Sequence, residues 1–135
     1  MKVFCTGASG YIGGSVAAHL VAAGHQVTGL VRSQERPMRF GRLGIEPLLG
    51  TLDDAERSGA SCTQAADIVV NAASADHNGA VAALLVRCAG SGKTFIHTSG
   101  SSIVGTRARG HRSDAIFDEE LADHAMRLPA QLGLR

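Results

Sequence analysis

Short apolar runs alternate with longer amphipathic segments between Lys2 and Thr98, and this alternation constrains the fold more than any other feature. Five apolar runs have the length expected of buried strands, and they are residues 3–6, 26–31, 45–49, 67–71 and 94–98. The segments between them have a helical period, and in the first one apolar side chains recur at Ile12, Val16 and Leu20. Strands that alternate with helices are typical of βαβ units. We therefore predict an α/β fold built around a buried parallel sheet.

Helices are predicted in the segments that connect the strands. They lie at 11–23, near 33–42, from Asp53 or Asp54 toward Cys62, and from Asp76 to Cys88. In the last of these, Leu84 and Leu85 belong to the apolar stripe that should face the core. The periodicity stops after Gly105, so we predict that 106–135 is a polar loop followed by one short helix at 117–128.

Length, charge and cysteine content exclude several classes of protein. With 135 residues the chain has room for one domain. Thirteen basic against twelve acidic side chains give a formal net charge of +1, so no overall field would attract nucleic acid or an anionic membrane. The three cysteines lack the spacing of a disulfide framework or a zinc site, and we predict no bound metal. No apolar run reaches the ~18 residues of a membrane span, so we expect a soluble protein without a membrane partner. The scattered cysteines favour a reducing compartment, and we expect a cytoplasmic location.

The most informative segment is TGASGYIG at residues 6–13, where the first predicted strand turns into the first predicted helix. Gly7 allows the tight turn, Gly10 lets the backbone approach a pyrophosphate, and Gly13 lets the helix pack closely on the sheet. The anion would then meet free N–H groups at the helix N-terminus. The predicted cofactor-binding residues of this loop are Gly7, Ala8, Ser9, Gly10, Tyr11, Ile12 and Gly13. The alternative is that the glycines only cap the helix.

Five motifs together resemble one family. TGASGYIGG (6–14) looks like the TGxxGxxG loop of the extended and atypical short-chain dehydrogenase/reductases, which are relatives of the NAD(P)-dependent epimerases and dehydratases. Four further segments match in the family's order, and they are VTGLVRS (27–33), GTLDD (50–54), VVNAAS (69–74) and FIHTSGSSIVG (95–105). The resemblance implies a doubly wound parallel sheet, the Rossmann fold, with strand order 3-2-1-4-5 and a dinucleotide-binding domain at 1–105. It also implies a truncated chain whose C-terminal region, 106–135, is incomplete, because relatives continue into a substrate-binding region.

The residue after the second predicted strand indicates which dinucleotide binds. NAD binders place a carboxylate there, about 20 residues after the glycines, to hold the ribose 2′-hydroxyl. Here the residue is Arg32, whose guanidinium can grip a 2′-phosphate, and Ser33 adds a small donor. The sequence therefore favours NADP, with NAD as the alternative. The competing interpretation is that Arg32 belongs to a solvated helix face with Arg36, Arg39 and Arg42.

The resemblance also implies where the rest of the cofactor lies. Relatives usually carry an Asp at the position of Thr51, where it accepts a hydrogen bond from the adenine amino group, and a Thr hydroxyl can accept one more weakly. Leu52 would cover the adenine ring. The small residues after the fourth strand, which let the backbone approach the ribose, are Ala72, Ala73 and Ser74. Thr98 and Ser99 are expected beside the nicotinamide.

The family's hydride chemistry uses a Tyr with a Lys four residues on, because a nearby cation brings the phenol pKa closer to neutrality. This chain has one Tyr, Tyr11 in the glycine loop, and its lysines are Lys2 and Lys93, so the pair is absent. Ser99 and Ser101 are the remaining catalytic candidates, and the catalytic residues stay unknown.

Two functions therefore stay open at this point. One is the cofactor half of an NADP-dependent oxidoreductase or epimerase-like enzyme that acts on a small carbonyl or hydroxyl substrate. The other is a non-catalytic NADP(H) sensor or interaction protein, and an inactive fragment is a further interpretation. In either case the fifth strand, 94–98, would lie at an open edge of the sheet, where a second copy of the chain could pair.

Overall fold

The computed structural model describes residues 1–32, 37–53 and 60–100, together with His111, Arg112 and Asp114. Its elements, in chain order, are β1 (Lys2–Thr6), α1 (Tyr11–Ala22), β2 (Gln26–Val31), α2 (Pro37–Arg42), β3 (Ile45–Leu49), α3 (Ala60–Ala65), β4 (Ile68–Asn71), α4 (Asn78–Cys88) and β5 (Thr94–His97). These elements lie in one compact unit, Met1–Thr98, and Ser99–Arg135 forms a second one. The predicted domain boundary at 105 and the predicted helix at 117–128 lie outside the described residues.

The five strands form one sheet in the order β3-β2-β1-β4-β5, and every neighbouring pair is parallel. Phe4 of β1, for example, pairs with Thr28 of β2 on one side and with Val69 of β4 on the other. The predicted α/β fold and its strand order are confirmed, and each predicted strand agrees with the observed one to within a residue at each end. Because all strands run in the same direction, their carboxyl ends lie at one edge of the sheet. β2 and β3 follow on one side of β1, and β4 and β5 follow on its other side, so the direction in which strands are added reverses at β1.

The sheet has a separate hydrophobic core on each face. Side chains alternate along β1, so Val3 and Cys5 pack in a cluster with Ala17 of α1, whereas Phe4 packs in a second cluster with Leu84 of α4. The first cluster also contains Val27, Val31, Phe40, Ile45 and Val70, and the second contains Leu30, Ala66, Val69 and Cys88. The central strands are mostly apolar between their ends because both of their faces are covered.

The buried face of α1 differs from the apolar stripe in the sequence. Ile12 is 54% exposed and Val16 is 37% exposed, whereas Gly13 and Ala17 are buried and Leu20 packs at the margin of the core. The reason is the short distance between α1 and the loop after β1. A Cβ at Gly13 would lie 2.3 Å from the carbonyl oxygen of Gly7, so a branched residue does not fit at that position.

The first turn of α4 also differs from the prediction. The side chain of His77, not of Asp76, caps this helix, because its Nδ1 accepts a hydrogen bond of 3.2 Å from the backbone N–H of Ala80. Ala80 and Leu84 are buried, but Leu85 is 46% exposed, so the stripe that faces the core is narrower than predicted.

The described ranges lack both a membrane-spanning helix and a cluster of metal ligands. No helix there is long and apolar enough to cross a membrane. The same ranges contain no group of three or more His, Cys, Asp or Glu side chains that could hold a metal ion.

Candidate functional site

A cleft of about 260 Å3 opens at the carboxyl edge of the sheet, beside the ends of the first four strands. Its lining residues are Gly7, Ser9, Gly10, Leu30, Arg32, Gly50, Leu52, Ala72, Ala73 and Ser74. All of them except Leu30 and Gly50 belong to the set predicted to bind a cofactor. Gly50 had a readable signal, since it opens the GTLDD motif directly after the third strand, whereas Leu30 looks like any other core residue of a strand.

The turn at Gly7 brings the loop after β1 against the turn after β4. Gly7 has a φ of +70°, and a Cβ at this position would lie 2.5 Å from the carbonyl oxygen of Ala72. The Gly7 carbonyl in turn accepts a 2.8 Å hydrogen bond from the N–H of Gly10. Only glycine combines this backbone conformation with this approach, so the two walls of the cleft meet at Gly7.

The N-terminus of α1 carries free donors at the cleft. Gly10 is the N-cap residue, and because it has no side chain it makes no capping hydrogen bond. The first bond of the helix runs from the N–H of Gly14 to the carbonyl of Gly10 at 3.0 Å, so the N–H groups of residues 11–13 have no acceptor within the helix. The first turn contains no acidic side chain. Free N–H groups and the positive end of the helix dipole suit an anion such as a pyrophosphate.

The other predicted residues of the glycine loop do not line the cleft. Tyr11 is 92% exposed and Ile12 is 54% exposed, and neither side chain is among those that line the cleft. The Ala8 side chain is buried in the first core. Gly13 is buried under the loop, where a Cβ would lie 2.3 Å from the carbonyl oxygen of Gly7. Gly13 therefore determines how closely α1 approaches the sheet.

The neighbouring strand supports this close approach. Cys5 of β1 is buried, and its Sγ lies 3.4 Å from the carbonyl oxygen of Thr6 and 3.8 Å from that of Gly13. Burial raises the pKa of the Cys5 thiol to about 11, so the thiol stays protonated near neutral pH. A protonated thiol can donate weakly to these carbonyl groups, which a thiolate would repel.

Arg32 follows β2 directly, is exposed, and is the one charged residue among those that line the cleft in the described part of the chain. No carboxylate of the described residues forms an ion pair with it. The N–H of Gly50 donates to the carbonyl of Val31 at 2.9 Å, which places the turn after β3 next to the end of β2. Ser33, the second residue predicted to select the cofactor, lies outside the described residues.

The turn after β3 forms the apolar wall of the cleft. Leu52 lines the cleft and also packs against the second core. Thr51 is partly buried and is not among the lining residues. The carboxylate of Asp53 lies 3.0 Å from Nε2 of His77. This contact joins the turn after β3 to the start of α4. The prediction that Asp53 or Asp54 caps the third helix depends on residues 54–59, which lie outside the described residues.

Three polar side chains form a hydrogen-bond network at the carboxyl ends of β1, β4 and β5. Asn71 is 1% exposed, and its Oδ1 accepts a 2.5 Å hydrogen bond from the hydroxyl of Thr6. Its Nδ2 lies 3.0 Å from Nδ1 of His97 and 3.4 Å from the carbonyl oxygen of Ser74. We did not predict this network, although a polar residue at the end of an apolar strand is a signal for one.

Comparison with known proteins agrees with this geometry. A sequence model of the NAD(P)H-binding family matches residues 7–127. The chain belongs to the NAD(P)H-binding family. The predicted resemblance to short-chain reductases and epimerases is confirmed.

Two curated relatives of this NAD(P)H-binding chain have names that state an activity. One is 4-hydroxy-2-methyl-3-oxo-4-farnesyl-3,4-dihydroquinoline-1-oxide ketoreductase of Stigmatella aurantiaca, to which the chain is 46% identical over 56 residues. This aligned stretch covers 42% of this chain and 17% of the relative. The other is oxidase ucsJ of an Acremonium species, to which the chain is 37% identical over 131 residues. This alignment covers 87% of this chain and 37% of the relative. The chain thus spans less than half the length of these relatives.

A solved structure supports the fold. A nucleoside-diphosphate-sugar epimerase from Pseudomonas aeruginosa superposes with a TM-score of 0.65 at 18% identity, over 97% of this chain and 46% of that chain. At this identity the likeness concerns the fold alone, and it agrees with the Rossmann topology of the sheet.

The residues predicted near the nicotinamide are only partly described in this NAD(P)H-binding chain. Thr98 follows β5, and its N–H donates to the carbonyl of Asn71 at 2.9 Å. Ser99 is exposed and belongs to the second compact unit, and Ser101 lies outside the described residues.

Neither lysine is placed to assist Tyr11. Lys93 precedes β5, at the edge of the sheet opposite the cleft, and its Nζ donates to the carbonyl groups of Gln64 at 2.9 Å and Ala66 at 2.5 Å. Lys2 begins β1 at that same opposite edge. The described residues therefore do not bring a lysine to the cleft.

Proposed function

We propose that this chain binds NADP(H) in the cleft at the carboxyl edge of the sheet. The observation that carries the proposal is the combination, in one cleft, of the N-terminus of α1, which has no side-chain cap, with the guanidinium of Arg32, which pairs with no carboxylate of the described residues. The first suits the pyrophosphate that all nicotinamide dinucleotides share. The second suits the additional 2′-phosphate of NADP, which a carboxylate at this position would repel.

The cofactor would extend along the cleft, between the turn after β3 and the turn 72–74. The pyrophosphate lies against the backbone of Gly7 to Gly10, and the adenine lies against Leu52 with its ribose phosphate at Arg32. The nicotinamide ribose lies along the turn 72–74, where small side chains let it approach the backbone. The nicotinamide then lies toward Thr98, at the end of β5. When bound, the dinucleotide supplies a hydride donor or acceptor.

The class of reaction follows from the family, and we propose an oxidoreductase that acts on a small-molecule carbonyl or hydroxyl group. The ketoreductase and the oxidase among the relatives support this class. The near-neutral charge supports a protein whose partners are the dinucleotide and a small substrate rather than nucleic acid or membrane. The cysteines, which lack disulfide spacing, support a cytoplasmic location.

A second candidate is a non-catalytic NADP(H) sensor, and one observation favours it. Tyr11 is 92% exposed, and Lys93 is bound to carbonyl groups at the other edge of the sheet, so the described residues contain no Tyr and Lys pair at the cleft. A sensor needs the cofactor site but no proton donor.

Binding and turnover measurements test both candidates. The expected result of calorimetric titration is that NADPH binds more tightly than NADH, and no binding of either would refute the proposed site. NADPH oxidation is then followed at 340 nm with a panel of aldehydes, ketones and quinones. Oxidation with any member supports the oxidoreductase, whereas tight binding without oxidation across the panel supports the sensor.

A further inference from the structure

His97, Asn71 and Thr6 lie side by side on three neighbouring strands. Thr6 of β1 pairs in register with Asn71 of β4, and Asn71 pairs with His97 of β5. Each is the last residue of its strand. Residues paired in register on parallel strands present their side chains to the same face, which here is the face of the second core. Three polar groups from distant parts of the chain therefore meet next to the cleft.

The direction of the hydrogen bonds follows from the groups that surround Asn71. The carbonyl oxygen of Ser74 can only accept, so the amide nitrogen of Asn71 faces it, at 3.4 Å. The same nitrogen lies 3.0 Å from Nδ1 of His97, so this Nδ1 must accept as well. The amide oxygen accepts from the hydroxyl of Thr6. In the contact between the two side chains, Nδ2 of Asn71 is thus the donor and Nδ1 of His97 the acceptor.

Asn71 depends on His97 to accept one of the two hydrogens of its side-chain amide. Its Nδ2 has two hydrogens, of which one points to Ser74 and the other to His97. Asn71 is almost completely buried, so a hydrogen that lost its acceptor could not turn to water. The amide would then rotate, and its bond to the carbonyl of Ser74 would break. Ser74 belongs to the turn 72–74 that forms one wall of the cleft.

The ring of His97 is held separately from this bond. It stacks on the ring of Phe95, with centroids 6.0 Å apart and an angle of 13° between the planes. The stacking fixes where the ring lies, and Nδ1 supplies the acceptor. These two contributions of one side chain can be separated by substitution.

We propose that His97 is a positioning residue of the cofactor cleft, which acts through the Asn71 amide to hold the turn 72–74 in its binding conformation. This inference rests on the proposed binding of NADP(H) in that cleft.

Two charged or titratable side chains beside the elements that pack near His97 make contacts elsewhere. His77 before α4 contacts Asp53, and Lys93 before β5 contacts carbonyl groups. Arg87 lies in the last turn of α4, at the other end of the helix from its cap.

Two matched variants separate the acceptor from the ring. His97→Phe keeps an aromatic ring for Phe95 but has no acceptor, whereas His97→Asn loses the ring but can place an amide oxygen where Nδ1 lies. Both are expected to lower thermal stability somewhat. If His97 only supports the fold, NADPH affinity should fall most in the less stable variant. If His97 positions the turn, NADPH affinity should fall only in the variant that lacks the acceptor. We expect the Kd for NADPH to rise about tenfold in His97→Phe. In His97→Asn it is expected to stay within about twofold of wild type.

A second measurement needs no cofactor. In spectra of the free protein, the backbone amide signals of Ala73 and Ser74 are expected to shift in His97→Phe and to stay in place in His97→Asn. If His97→Phe does not fold, His97→Leu replaces it as the variant without an acceptor. Equal NADPH affinity in wild type and the acceptor-free variant, or unchanged amide signals, would overturn the inference and leave the proposed function intact. Absence of NADPH binding by wild type would overturn both.

Discussion

Nε2 of His77 lies 3.0 Å from a carboxylate oxygen of Asp53, and this contact links two walls of the cleft. The other ring nitrogen, Nδ1, accepts from the N–H of Ala80 and caps α4. Since Nδ1 accepts, the proton of the neutral ring is on Nε2 and is donated to Asp53. One imidazole thus joins the turn that carries Leu52 to the helix that follows the turn 72–74.

The cap contributes more to stability than the link to Asp53. His77→Ala removes an N-cap bond, and we expect the free energy of unfolding to fall by about 1 kcal/mol. Asp53→Ala removes only the contact to a carboxylate whose side chain is 86% exposed, and we expect almost no change because solvent screens such pairs. Urea denaturation of both variants measures the difference. Equal losses in the two variants would contradict this division of roles.

Arg32 is expected to determine which dinucleotide binds more tightly. Its guanidinium can form charged hydrogen bonds to the 2′-phosphate, so wild type is expected to bind NADPH about tenfold or more tighter than NADH. Arg32→Asp is expected to reverse this preference, because a carboxylate repels the phosphate and accepts from a ribose hydroxyl. Arg42→Asp is the matched control, since it makes the same charge change at an exposed residue outside the lining of the cleft. Equal affinities in wild type, or an unchanged preference in Arg32→Asp, would refute this role.

Gly10 and Gly13 are expected to respond differently to substitution by valine. A Cβ at Gly10 would lie 3.2 Å from the carbonyl oxygen of Gly7, a contact that a small shift relieves, whereas at Gly13 the distance is 2.3 Å. Gly10→Val should therefore keep the fold but lose dinucleotide binding, because the side chain enters the space of the pyrophosphate. Gly13→Val should lose about 3 kcal/mol or more of stability by overpacking. Thermal melts by circular dichroism and NADPH titration test the pair, and retained affinity in Gly10→Val would mean that the loop only caps α1.

The strand pattern and the glycine loop could be predicted because their signals are local. The strands are short apolar runs, and the turn at Gly7 needs a glycine whatever surrounds it. The inner face of α1 could not be predicted from periodicity, because Ile12 and Val16 look like core residues. Only the short distance between Gly13 and the carbonyl of Gly7 makes small residues the buried ones.

The polar contacts of the site depend on pairs that are far apart in sequence. Thr6 and Asn71 are 65 positions apart, and Asn71 and His97 are 26 positions apart. Such partners become visible only when strand order and register are known. The contact between Asp53 and His77, 24 positions apart, is of the same kind. The cofactor roles of Arg32, Leu52 and the turn 72–74 stay predictions.

The thiol of Cys5 is expected to make stability depend on pH in the alkaline range. Burial raises its pKa from 9.0 to about 11 in the folded protein, so the protonated thiol stabilises the fold below pH 9 and this contribution is lost as pH rises toward 11. The loss is expected to be about 2 kcal/mol. Cys5→Ala is the control. The free energy of unfolding that this substitution removes by lost packing does not vary with pH, and all other groups titrate as in wild type. A constant difference in unfolding free energy between the two proteins from pH 8 to 11 would rule out this effect.

The last prediction concerns the open edge of the sheet at β5. The N–H groups of Thr94 and Thr98 donate to carbonyl groups of Asp67 and Asn71 on the β4 side. Because backbone groups alternate along a strand, those of Phe95 and His97 point to the other side, where no strand of the described residues pairs with them. Such an edge can pair with a second copy of itself, so we propose that the 135-residue chain self-associates through β5.

Light scattering over a dilution series from high to low micromolar concentration tests this association. The measured mass should exceed that of a monomer and fall on dilution. Ile96→Lys places a charge on the edge strand and is expected to favour the monomer, because lysine on an edge strand opposes pairing. Val86→Lys adds the same charge to the exposed face of α4, at a residue that is 76% exposed, and should leave the association unchanged. A wild-type monomer at every concentration, with slow exchange of the Phe95 and His97 amides, would show that this edge is already covered within one chain.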